Sequence, residues 1–196
     1  MNIRENFENI TKEIEEVCNK IGRKSTDVKV IAVTKYVTDA RVEQAIEAGV
    51  NIFAENRPQN YLERKQKYPN KEWHLIGSLQ TRKVRDVINH VDYFHALDRE
   101  NLAKEIEKRA DNKVNCFVQV NVSGEESKHG LTPSETVDFI KGLEKYSKIK
   151  VVGLMTMAPF IDDEDILRNC FKKLRLIRDE IKELHLEFAP CEYLSM

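Results

Sequence analysis

The 196 residues hold only seven glycines, and none of them forms a G-x-G-x-x-G turn or a P-loop. The glycine-rich phosphate cradles of dinucleotide- and nucleotide-binding folds are therefore missing. Charge of one sign is missing too: 32 Lys and Arg stand against 33 Asp and Glu, a formal net charge of -1. Nothing draws the chain as a whole to nucleic acid or to an anionic membrane. The four cysteines, Cys18, Cys116, Cys170 and Cys191, are widely spaced and make no C-x-x-C or Cys/His pattern, which signals neither a zinc site nor a redox pair. No run approaches the roughly 18 apolar residues of a membrane span, and Met1-Asn2-Ile3-Arg4-Glu5 is no signal-peptide opening. A cytoplasmic chain with reduced thiols is the expectation. What is present, 41% hydrophobic and 33% charged residues, suits a globular domain and excludes disorder or a collagen-like chain.

Ile3, Phe7, Ile10, Ile14, Val17 and Ile21 recur at steps of three and four, which predicts an amphipathic helix stopping at Gly22. The run Val28-Lys29-Val30-Ile31-Ala32-Val33 predicts a first strand, followed by a helix from a Thr38 cap to Gly49 and a strand at Val50–Ala54. That is a βαβ unit. The alternation continues with strands at Trp73–Gly77, Tyr93–Leu97, Cys116–Val122, Val151–Met155 and Tyr193–Ser195. Thr132-Pro133-Ser134-Glu135 reads as a capping box, and Leu167, Phe171, Leu174, Ile177, Ile181 and Leu184 mark a late helix. With no linker or composition shift, residues 1–196 are expected to form one domain.

Largely apolar strands separated by helices imply a parallel sheet covered by helices. A doubly wound sheet competes with a (β/α)8 barrel, and the missing glycine-rich turn favours the barrel. The expected active face is then where the strands end, at Thr34-Lys35, Glu55-Asn56, Gly77-Ser78, His95 with Asp98, Asn121 with Ser123, Thr156 and Ser195. A barrel needs at least about 200 residues and typically about 250. This chain, ending inside its seventh strand, is expected to be incomplete at the C-terminus, lacking the eighth strand and last helices.

Lys35 ends an apolar strand, where low-polarity surroundings would depress its pKa and make its amine a nucleophile for aldehydes. Position alone favours the alternative, a strand-end lysine reaching solvent. The polar run Asn121, Ser123, Glu125, Glu126, Ser127, Lys128 and Gly130 reads as a solvated loop, and His74 as a hydrogen-bonded structural histidine. His95 and Asp98 could form an acid–base couple, but Asp98 fits better as a cap for a helix starting at Arg99. The charges of Arg57–Lys71 and Arg99–Lys113 read as exposed helix faces.

Ile31-Ala32-Val33-Thr34-Lys35, Glu55-Asn56, Trp73-His74-Leu75-Ile76-Gly77-Ser78-Leu79-Gln80 with Lys83, Val120-Asn121-Val122-Ser123 with Glu126, Lys128 and Gly130, Gly153-Leu154-Met155-Thr156-Met157 and Leu194-Ser195-Met196 form an ordered set. Together they closely resemble the pyridoxal phosphate homeostasis proteins of the YggS/PROSC type. The resemblance implies an α/β TIM-barrel-like fold of the alanine racemase N-terminal domain type. It also implies pyridoxal 5′-phosphate (PLP) held as a Schiff base on Lys35, in a carrier or buffer that catalyses nothing. Asn56, Met155, Thr156 and Ser195 are the further candidates for lining the cofactor pocket.

Implied partners are PLP itself and PLP-dependent enzymes as recipients, with no nucleic acid and no membrane. Family members continue past Leu-Ser-Met with a further helix and an eighth strand that supply much of the phosphate grip. The family is expected to be monomeric, while unpaired sheet edges here are expected to favour self-association. A PLP-dependent amino-acid racemase is the alternative; it needs acid–base groups on both faces of the substrate carbanion, which related racemases draw partly from a second domain and a dimer partner. A third reading is an interaction protein that offers a sheet edge to a partner.

Overall fold

A computed structural model describes residues 2–125 and 129–196. The chain divides into two compact units, Met1–His74 and Leu75–Met196. In the first, helix α1 (Ile3–Lys20) is followed by strand β1 (Ala32–Val33), helix α2 (Asp39–Glu47), strand β2 (Ile52–Glu55), helix α3 (Pro58–Lys67) and strand β3, which starts at Glu72 and ends at Leu75. Strands β1 and β2 are parallel, with Ala32 opposite Phe53 and Val33 opposite Ala54. Strand β1 is much shorter than its β-branched run predicts. Side-chain preference marks Val28–Ile31 as extended, but a strand also requires a ladder partner, and only Ala32 and Val33 pair with β2.

The core of this unit is aromatic. Phe53 stacks on Trp73 at 5.1 Å between ring centroids, and both are fully buried. Each polar edge nearby finds a backbone acceptor: Tyr61 Oη donates to Trp73 O at 3.0 Å and Trp73 Nε1 to Tyr68 O at 3.2 Å. Pro58 opens α3, where a missing N–H costs nothing. Helix α1 has the predicted length, yet of its apolar stripe Ile10, Val17 and Ile21 are exposed, and Cys18 is its buried residue. The helical period is as read, with Ile3, Phe7 and Ile14 of the stripe half-buried.

In the second unit helices α4 (Val84–Val87), α5 (Glu100–Arg109), α6 (Pro133–Gly142) and α7 (Glu164–Glu183) alternate with strands β4 (Tyr93–Leu97), β5 (Val114–Gln119), β6 (Ile149–Met155) and β7 (Tyr193–Ser195). These strands follow one another in sequence order, each parallel to the next. Strand β6 is buried along nearly its whole length, as a parallel strand covered on both faces must be. Its ladder to β5 shifts register between Cys116/Val151 and Phe117/Gly153, so Val152 is an extra residue that bends the strand. At Gly153 the backbone of β7 comes so close that an added Cβ would meet Tyr193 O at 2.2 Å, which only glycine permits.

Helix α5 buries Leu102, Ala103 and Ile106, and α7 buries Cys170, Leu174 and Ile181. The capping box of α6 forms as read: Glu135 Oε2 accepts from Thr132 N at 3.1 Å and from Thr132 Oγ1 at 2.6 Å. Among the described residues no helix is long and apolar enough to cross a membrane.

Candidate functional site

The strand ends of the first unit carry Thr34, Lys35, Glu55 and Asn56. Thr34 N extends the β1–β2 ladder to Ala54 O at 2.9 Å, and Val37 N closes a turn onto Thr34 O at 3.1 Å. Lys35 and Tyr36 are the two central residues of that turn. Tyr36 has φ 68, a left-handed conformation that costs a non-glycine residue about 1–2 kcal/mol. The guanidinium of Arg57 stands over its ring, 5.9 Å from the centroid. Lys35 is exposed, so the low-polarity surroundings expected for its amine are not there. The strand alternation explains this: Thr34 turns inward and the chain leaves the ladder at the next residue.

Glu55 is the unusual group of the unit. Its carboxylate is 1% exposed, and Oε1 accepts from Thr34 Oγ1 at 2.6 Å. Arg64 Nε lies 3.9 Å from the same oxygen, but this guanidinium is already bonded to Asp39 Oδ1 and, at 2.7 Å, to Val37 O. The second oxygen, Oε2, is buried and has no hydrogen-bond partner among the described residues. A buried acceptor left unmet costs about 1–3 kcal/mol, more when it carries charge. Arg64 itself corrects the reading of Arg57–Lys71 as a solvated face, because its side chain is only 12% exposed.

Around it, Asp39 is held below the usual carboxylate range by the hydrogen bond from Lys67, with the Arg64 and Lys67 charges adding to it against partial desolvation. Lys67 is raised in turn by its hydrogen bond to Asp39. This lattice fixes α2 to α3 immediately behind the Lys35 turn.

In the second unit the structure brings three of the predicted residues together. Met155 is opposite Ser195 in the β6–β7 register, and Thr156 N donates to Ser195 O at 3.0 Å. Thr156 is buried with its hydroxyl donating to Val120 O at 2.8 Å, and Met155 packs with Phe117 and Val152. Ser195 Oγ shares a 3.0 Å hydrogen bond with His95 Nδ1, and the His95 ring stacks on Phe117 at 4.2 Å. The sequence reading missed this pair, whose members are 100 residues apart.

Two readings are corrected here. Asp98 does not cap α5, since the cap residue is Arg99, whose guanidinium binds Asp98 Oδ1 at 2.5 Å and Leu79 O at 2.6 Å. The Asp98 carboxylate is thereby committed to Arg99 and not to a couple with His95. Asn121 organises its own loop by donating to Glu125 O at 2.8 Å and accepting from Ser123 Oγ and Gly124 N. Glu126, Ser127 and Lys128 lie outside the described residues. His74 is buried and bonded to Glu72 at 2.9 Å, the structural role expected of it.

The family described as alanine racemase, N-terminal domain, matches residues 6–196. A curated relative, the pyridoxal phosphate homeostasis protein of Aquifex aeolicus, is 35% identical over 201 residues, covering 100% of this chain and 87% of the relative. This chain belongs to the pyridoxal phosphate homeostasis protein family. A crystal structure of a Bifidobacterium adolescentis protein, 29% identical, matches 100% of this chain and 85% of its own with a TM-score of 0.91. PipY of Synechococcus elongatus PCC7942 with PLP bound, 24% identical, matches 93% of this chain and 87% of its own with a TM-score of 0.77. The fold is thus the TIM-barrel-like α/β type of the alanine racemase N-terminal domain, with seven strands among the described residues. In this chain the exposed Lys35 directly follows Thr34, whose hydroxyl donates to the buried Glu55 carboxylate.

Proposed function

We propose that this chain binds PLP and serves intracellular PLP homeostasis without catalysing a reaction, the aldehyde being held reversibly and covalently by Lys35 Nζ. The observation that supports this reading best is the full-length likeness to curated pyridoxal phosphate homeostasis proteins, 35% and 34% identical over 87% and 85% of their lengths. The residues fit the group. A primary amine at a strand end is the nucleophile an aldehyde requires, and a buried carboxylate oxygen lacking a donor lies on the neighbouring strand. When bound, PLP supplies a reactive aldehyde and an electron-accepting ring. The chain's part is to present the amine, shield the aldehyde and let it go again. Asn56, Met155, Thr156 and Ser195 are proposed as further cofactor contacts, PLP-dependent enzymes as recipients, and the cytoplasm as the compartment.

The test is a titration of the purified chain with PLP, followed by visible absorbance, borohydride reduction and peptide mapping, with Lys35→Ala alongside. A reducible adduct on Lys35, absent in the variant, is the expected result. Labelling no greater than at other lysines would overturn the assignment. Incubation of the loaded protein with amino acids in D2O is expected to give no α-proton exchange, and exchange above buffer would replace the carrier reading with an enzymatic one.

A further inference from the structure

The orphaned oxygen of Glu55 has no structural explanation within its own surroundings. Its partner oxygen is fully engaged by Thr34 Oγ1, and Arg64, the cation of α3 near it, is committed to Asp39 of α2 and to Val37 O. Arg57, two residues on from Glu55, is stacked over Tyr36. A cation that could reach Oε2 and is not held elsewhere is therefore sought, and Lys35 meets the description. Thr34 already touches the carboxylate, and the Cα of Lys35 is only about 3.8 Å further along the chain. A lysine carries its ammonium on a flexible four-carbon stem. An exposed side chain such as that of Lys35 changes rotamer within nanoseconds.

We infer that Glu55 is the internal counter-ion of Lys35: its buried Oε2 receives the Lys35 ammonium when the side chain turns inward, docking the amine at the strand end. Glu55 is thus a positioning residue. The Thr34 hydroxyl orients the carboxylate so that one oxygen faces away from the Thr34 bond, and the Arg64–Asp39 pair behind it supplies no competing donor to that oxygen. This inference rests on the reading of Lys35 as the cofactor's attachment point, but its test does not use the cofactor.

The cofactor-free protein is treated with formaldehyde and cyanoborohydride at fixed pH, and methylation of each lysine is timed by peptide mapping, with the remaining lysines as internal reference. Docking in a charge-assisted hydrogen bond to a buried carboxylate shields the Lys35 amine and slows its labelling, so Glu55→Gln is expected to speed Lys35 methylation about tenfold while the other lysines are unchanged. Glu55→Asp restores a carboxylate and is expected to return the rate most of the way to wild type, which a merely structural role for Glu55 would not do. An unchanged Lys35 rate in folded Glu55→Gln overturns the inference. Should Glu55→Gln fail to fold, Lys35→Met decides: removing the docked cation is expected to lower the melting temperature by about 3 °C, and no shift overturns the inference. If PLP never attaches to Lys35 while these shifts appear, the attachment reading fails and the counter-ion stands; if PLP attaches and the shifts are absent, the reverse holds.

Discussion

The strand ends of the two units are built on opposite terms. In the second unit, polar groups close on protein partners: Thr156 on Val120 O, Ser195 on His95, Asn121 on its own loop, and Gly153 admits β7 so closely that no side chain fits. In the first unit, Lys35 stands in a turn with a left-handed tyrosine beside it, and Glu55 keeps one buried oxygen open. A satisfied hydrogen-bond network fixes geometry, whereas an unmet buried acceptor is held in place at a cost in stability.

The strongest challenge to this contrast is Gly153→Ala. The added methyl would collide with the backbone of Tyr193, and a loss of about 3 kcal/mol is expected in urea unfolding, at unchanged m-value. A neutral result would show that β7 yields easily and that the second unit is not the rigid partner. Thr156→Val keeps the shape but removes the donor to Val120 O, and about 1–3 kcal/mol should be lost.

In the first unit, Tyr36→Gly should change stability little. It relieves a left-handed residue at about 1–2 kcal/mol, forgoes an Arg57 contact of about 0.5–1 kcal/mol and adds chain entropy to the unfolded state, for a net change within about 1 kcal/mol of zero. A large loss of melting temperature would mean that the turn is as closed as the second unit's strand ends.

The smallest effect concerns pH. Asp39 in the first unit and Glu135 in the second are both lowered, by the Lys67 hydrogen bond and by the Thr132 hydroxyl respectively. A carboxyl lowered on folding lends stability above its unfolded pKa, and that contribution is lost as pH falls through the folded value. Both should therefore titrate below free carboxyls in a carbon-detected NMR titration, and Glu135→Gln should leave stability flatter between about pH 5 and pH 3 than in the wild type. Because both groups are exposed, salt is expected to shrink the Asp39 effect.

Much of the architecture was legible because it follows from period and punctuation. The order of strands and helices, the late helix and the α6 capping box all came from spacing of three, four or two and from Thr132 and Glu135. What failed depended on partners. The run from Val28 has strand-forming side chains, but its ladder partners decide where pairing starts, and Ile10, Val17 and Ile21 have helical spacing without a surface that covers them.

At the site, Lys35 was singled out by its strand end and by family likeness, while Glu55 was seen only as part of a motif. A signal for Glu55 existed: an acidic residue closing the apolar run Ile52-Phe53-Ala54 is expected to be buried in a parallel strand, and the β1–β2 register puts it beside Thr34. The His95–Ser195 contact had no such signal, since no local pattern ties residues so far apart.

The four cysteines have a practical consequence. All are buried, and desolvation holds the thiol of Cys191 up to about 12 and raises that of Cys116 as well, so both are poorly reactive toward alkylating reagents at neutral pH. A single cysteine introduced on an open helix face, for instance by Glu16→Cys, would be the only thiol in easy reach of a maleimide. A fluorophore could then be placed at one chosen point without first stripping the native sulfurs, and the folded chain could be told from the unfolded one by counting how many thiols react.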